Sequence, residues 1–138
     1  PVPGQLTFGA RHAQGDSMSS IHHKMSDVTW RVDVITPEEA AALVPADSPL
    51  FLKIDIEGAE YEVIKDCKSK LHFVKNLFVE FHSTFKDQFK LTEILNILNE
   101  TGFNYYIKEA NNVFPTPFTK KKINTPFDLQ LNIFAFRN

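Results

Sequence analysis

A chain of 138 residues has room for one domain around a single core, and 43% hydrophobic residues with 13 Phe can fill one. Charged residues at 23% and a net charge of −2 leave no basic face, which excludes the electrostatic footprint of a nucleic-acid or anionic-membrane binder. No apolar run nears the ~20 residues of a membrane helix, and the single cysteine, Cys67, excludes an internal disulfide and suits a reducing, cytoplasmic setting.

The chain opens Pro1-Val2-Pro3-Gly4, with no initiator Met and no charged-then-apolar signal pattern, and reads as a piece of a longer polypeptide. Residues 1–29 form a loop-rich lead-in with one short strand at residues 6–8. Residues 30–35 alternate as a strand. Thr36 then caps a helix, with Pro37 at its first position and Glu39 closing a capping box; Pro45 stops it. Residues 50–56 are the clearest strand, followed by a helix from Ala59 to about Leu71 and a strand at residues 77–82. An amphipathic helix over residues 91–100 ends at Gly102. Residues 103–108 and 129–136 read as strands, and the long Pro- and Lys-bearing connection between them suits an antiparallel pair. Strands alternating with helices predict an α/β core over residues 30–138, with a mainly parallel sheet, helices on both faces and an antiparallel last strand.

In an open α/β sheet, ligands bind beyond the carboxyl ends of the strands. Lys53 and Asp55 share one face of their strand, and Glu80 and His82 share one face of theirs. A βαβ unit that sets those strands side by side brings all four to one sheet edge, with Glu57 just beyond. Strands covered on both faces carry few charges, so the four need either mutual pairing or a wet cleft. Each also has a plainer account. Asp55-Ile56-Glu57-Gly58-Ala59-Glu60 reads as a helix start, with Gly58 in the turn and the carboxylates at the positive end of the dipole. Lys53 reads as half of an ion pair with Asp55 or Glu80, and His82 as a strand-end histidine satisfied by one hydrogen bond. The grouping favours the cleft.

The run Phe51-Leu52-Lys53-Ile54-Asp55-Ile56-Glu57-Gly58-Ala59-Glu60-Tyr61-Glu62-Val63-Ile64 resembles the central signature of FkbM-type methyltransferases. Ser19-Ser20, residues 32–36 and residues 78–82 resemble its flanks, so the similarity spans residues 17–107. The resemblance implies a Rossmann-like class I methyltransferase fold, S-adenosylmethionine as cofactor, and methylation of a hydroxyl on a small-molecule or carbohydrate acceptor. On that reading Asp55, Glu80 and His82 are the catalytic candidates, His82 or Glu80 accepting the hydroxyl proton. Asp55, Glu57 and Lys53 are the candidates for the cofactor, while Glu57 and Glu60 set the turn and helix; no metal site is assigned. The family's glycine-rich loop after a first strand and its acidic ribose ligand are not visible: Gly4, Gly9 and Gly15 are scattered, and nothing supports Asp16. The N-terminal strands are therefore expected to be missing.

His12 and His22-His23 match no metal spacing, Lys120-Lys121-Lys122 reads as a solvated loop, and Asn99-Glu100-Thr101 as a chance sequon. Phe114-Pro115-Thr116-Pro117-Phe118 is expected to pack against the sheet. Two other functions stay open: a non-catalytic α/β binding module, and a metal-dependent hydrolase built on Asp55, Glu57, Glu80 and His82. A sheet lacking neighbours exposes an edge and an apolar face, so self-association, as a homo-oligomer or worse, is expected.

Overall fold

The computed structural model describes residues 5–10, 19–20, 28–33, 35–45 and 48–138. His12, His22, His23, Gly4, Gly15 and Asp16 lie outside the described residues. The chain falls into two compact units, residues 1–45 and 46–138.

The first unit holds strands β1 (Gln5–Ala10), β2 (Ser19–Ser20) and β3 (Val28–Asp33) and helix α1 (Pro37–Ala42). The strands form an antiparallel sheet in the order β2-β1-β3, with β1 and β3 in register from Gln5↔Asp33 to Ala10↔Val28. The lead-in is thus more ordered than a loop with one short strand, and β3 belongs to this sheet, not to a parallel one with residues 50–54. An antiparallel partner needs no helical crossover, whereas a parallel one does. The capping box of α1 closes as expected: the Thr36 N–H donates to Glu39 Oε2 at 2.7 Å and the Glu39 N–H to Thr36 Oγ1 at 3.2 Å.

The second unit contains β4 (Leu50–Ile54), α2 (Glu60–Cys67), a 3₁₀ segment (Lys68–Phe73), β5 (Val74–Ser83), α3 (Phe89–Glu100), β6 (Asn104–Glu109) and β7 (Leu129–Phe136). The predicted helix over residues 59–71 is therefore an α-helix that tightens into 3₁₀ after Cys67. α3 ends where expected, with Gly102 at φ +80° supplying the left-handed turn.

The four strands pair in the order β4-β5-β7-β6. β4 and β5 are parallel and joined through α2, a βαβ unit. β7 inserts between β5 and β6 and runs against both. The sheet is accordingly mostly antiparallel by pairing, not mainly parallel as the sequence suggested. β4, β5 and β6 still share one direction, so their carboxyl ends meet at one edge.

The helices also depart from expectation. In this unit α2 and α3 pack on each other and on one face of the sheet. Ile64 and Leu71 join Ile94, Ile97 and Leu98 over Ile54, Leu77, Val79, Phe81, Ile133 and Ala135 in one core. The handedness rule explains this. β4→β5 and β5→β6 step the same way across the sheet, and right-handed crossovers in one direction fall on one side. The opposite face carries Phe51, Phe78, Phe134, Phe136 and Tyr106 around an open groove of about 470 Å³. Phe51 is 61% exposed there.

Candidate active site

The site starts from the turn after β4. Glu57 at φ +55° and Gly58 at φ +105° are both left-handed. Gly58 takes that conformation freely, as the sequence suggested; for Glu57 it costs roughly 1–2 kcal/mol. The turn is held from within by Glu60, on the first residue of α2. Its Oε1 accepts the N–H of Gly58 at 2.9 Å and that of Ile56 at 3.3 Å. Ala59, the residue before the helix, makes no side-chain cap, and the Glu60 carboxylate serves instead.

That same carboxylate reaches β5. Glu60 Oε1 lies 3.2 Å from His82 Nδ1, and Oε2 accepts the His82 backbone N–H at 3.4 Å. The two side chains are nearly fully buried, with 1% of Glu60 and 2% of His82 exposed. A buried carboxylate is tolerable only when paired and hydrogen-bonded, and here it has an imidazole and the backbone N–H groups of Ile56, Gly58 and His82 around it. On the far side of the ring, His82 Nε2 stands 3.4 Å from Glu80 Oε1 and 3.9 Å from Glu57 Oε2. The ring of Phe127 leans on the imidazole with centroids 4.9 Å apart.

Burial pushes the His82 pKa down, but the Glu60 hydrogen bond and the charges of Glu60, Glu57 and Glu80 outweigh it, so His82 is raised. Burial pushes Glu60 up, but the hydrogen bonds from His82, Gly58 and its own backbone N–H bring it below the ordinary value. Glu57 is raised by burial, and Asp55, Glu60 and Glu80 add to the rise while His82 opposes it. Burial and the neighbouring carboxylates thus disfavour the ionised form of Glu57, and the three carboxylates favour the protonated form of His82.

Asp55 lies on the rim, its Oδ2 accepting from Lys53 Nζ at 3.1 Å, with 29% of the Asp55 side chain and 57% of Lys53 exposed. The ion pair named as the plainer account of Lys53 is thus present. Asp55, Glu57 and His82 each bring one ligand-type atom within 4.8 Å of the others, although Asp55 already holds Lys53.

The residues singled out from sequence divide accordingly. Glu57, Glu80 and His82 converge; Asp55 stands at their margin, and Lys53 faces solvent beside it. Glu60 has a second role that its position at a helix start concealed. Phe127 was missed altogether. Its only signal is register: Ser83 pairs with Leu129, which sets Phe127 just beyond the end of β5. The loop is fixed there by the Asp128 N–H, which donates to the Ser83 carbonyl at 2.8 Å. Asp128 also accepts from the Phe85 N–H and from Lys122 Nζ, so that lysine is not simply solvated. Phe114 stacks on Phe85 with centroids 5.6 Å apart, and Phe118, expected to pack, is fully exposed.

Compared with known families, residues 4–105 match the methyltransferase FkbM domain. No curated protein and no solved structure matches the chain.

Proposed function

The chain belongs to the FkbM methyltransferase family, and from that premise we propose that it uses S-adenosylmethionine to methylate a hydroxyl oxygen of a small-molecule or carbohydrate acceptor. The observation that carries the reading is the Glu60–His82–Glu80 array at the carboxyl edge of β4 and β5, where ligands bind in open α/β sheets. The donor set fits a cationic cofactor: Asp55 and Glu57 present carboxylates, and a positive charge beside Glu57 would oppose the burial, and the added repulsion from Asp55, Glu60 and Glu80, that raise it. Bound there, S-adenosylmethionine supplies an electrophilic methyl group on a sulfonium.

The chain's own residues have two tasks. The first is to hold positive charge, which falls to Asp55 and Glu57, with Lys53 orienting the Asp55 carboxylate from outside. The second is to take the proton that an acceptor hydroxyl loses as its oxygen gains a methyl. Glu80 is the group an acceptor can touch, since 30% of its side chain is exposed against 2% of His82. His82 stands 3.4 Å behind it and receives the proton at Nε2. Proton transfer by a positioned side chain contributes on the order of 10²–10⁴-fold to rate.

The test is calorimetric titration of S-adenosylmethionine and S-adenosylhomocysteine into the chain, with a thermal melt alongside. Saturation at 100 times Kd adds about 2.7 kcal/mol of stability. Binding that Asp55→Ala weakens supports the reading. No heat and no melting shift at millimolar ligand sinks it.

A further inference from the structure

We infer that Glu60 is a positioning residue that fixes His82 as the Nδ1–H tautomer and thereby makes Nε2 the proton-exchanging atom; this deepens the methyl-transfer reading and rests on it for its catalytic meaning. A carboxylate at a helix start is explained by its backbone bonds alone, and Glu60 has those to Ile56 and Gly58. They do not explain why the same oxygen sits 3.2 Å from an imidazole nitrogen inside the protein.

An ionised carboxylate only accepts hydrogen bonds. If the neutral ring carried its hydrogen on Nε2, the Nδ1 lone pair would face the Glu60 oxygen with both groups buried. Leaving such a group unsatisfied costs about 1–3 kcal/mol and more beside a charge. The hydrogen therefore belongs on Nδ1. The other groups facing the ring are Glu57 on the turn after β4, Glu80 on the same strand as His82, and the Phe127 ring on the loop before β7. Two of these are carboxylates beside Nε2. Without Glu60 they would draw the hydrogen to that side. The tautomer is thus set by competition among three carboxylates, and the buried one holds the atom that leaves Nε2 free. Orientation of a histidine by a buried carboxylate on its other nitrogen is a recurring device in proton transfer.

The experiment is long-range proton–nitrogen NMR on ¹⁵N-histidine-labelled protein at a pH where His82 is neutral. The wild-type ring is expected to show a protonated Nδ1 and a bare Nε2. Glu60→Met, close in shape but unable to accept, is expected to move the hydrogen to Nε2. Glu60→Gln keeps an acceptor oxygen and is expected to keep Nδ1–H, while its His82 midpoint falls by about one pH unit because the counter-charge is gone. A residue that only closed the turn would show none of this contrast. A wild-type Nε2–H ring overturns the inference, as does a folded Glu60→Met protein still in the Nδ1–H form. Should Glu60→Met not fold, an unmoved His82 midpoint in Glu60→Gln overturns it. The spectra need no ligand, so a failed cofactor titration leaves them readable.

Discussion

Gly58 and Glu57 share a left-handed turn but respond oppositely to substitution. A Cβ on Gly58 would lie 3.8 Å from Phe127 Cε1 and 3.9 Å from the His82 carbonyl, ordinary contacts, so the cost is in the backbone at φ +105°. Gly58→Ala is expected to lower unfolding stability by about 1–2 kcal/mol in a urea titration. At Glu57 the wild-type residue bears the strain, and Glu57→Asn is expected to gain up to about 1 kcal/mol by the same measurement. Such a gain would come at the expense of a carboxylate in the site, a trade that functional sites commonly make.

The Glu60–His82 pair also sets a pH signature. His82 is raised in the folded protein, so its stabilisation is complete below the unfolded value near 6.5 and lost as pH rises through the folded one. Glu60 is lowered, so its stabilisation is present above about 4.3 and lost as pH falls through its folded value. Stability from the pair is therefore greatest between about 4.3 and 6.5 and declines on both sides. Urea midpoints from pH 4 to 9 test this, and His82→Gln is expected to flatten the alkaline decline. An alkaline decline undiminished in that variant would show that another group causes it.

Among the elements of the second unit, α2 is a helix that depends on its surroundings. It spans only Glu60–Cys67, shorter than a helix that stands alone in water. Ile64, fully buried, seats it in the core. The exposed pair Glu62–Lys90 bridges it to α3, and Lys68–Glu100 ties the 3₁₀ segment that follows it to the end of α3, each worth about 0.2–1 kcal/mol at most. Packing dominates. Ile64→Ala is expected to cost about 2–5 kcal/mol, while Lys68→Ala should fall within about 0.5 kcal/mol of wild type. Equal effects in chemical denaturation would mean that the ion pairs hold the helix.

Sequence legibility follows the same division. The α1 capping box, the Gly58 turn, the Gly102 stop and the nearness of Glu80 to His82 could be read because each depends on residues close in sequence, whereas Lys53 and Asp55, expected to converge with them, pair with each other at the rim. The contact of Glu60 with His82 spans 22 positions and had a sufficient local explanation already, so nothing called for a second. Phe127 depends on the register of β7, which no local pattern carries. The place of β7 was unreadable for the same reason: an antiparallel last strand is legible as a strand, but its choice of a central slot over an edge is made by long-range pairing.

At the scale of the molecule, the aromatic face of the second unit and the outer edge of β4, unpaired among the described residues, present apolar surface and free backbone groups together. Reversible self-association is expected, read as a sedimentation coefficient that rises with protein concentration. Phe51→Ser at the most exposed of the sheet aromatics should weaken it while barely changing stability. A concentration-independent monomer would show that this face does not drive association.

The central place of β7 has one more consequence. β5 and β6 are not bonded to each other; β7, which comes after them in the chain, is the strand that joins them. During synthesis the earlier strands emerge from the ribosome first and must wait. Until residues 129–136 are clear of the exit tunnel, β6 has no partner and β5 shows a bare edge beside a hydrophobic core. A nascent chain stalled just before Leu129 should therefore be a preferred client of chaperones that recognise exposed strands, and one released past Phe136 should not.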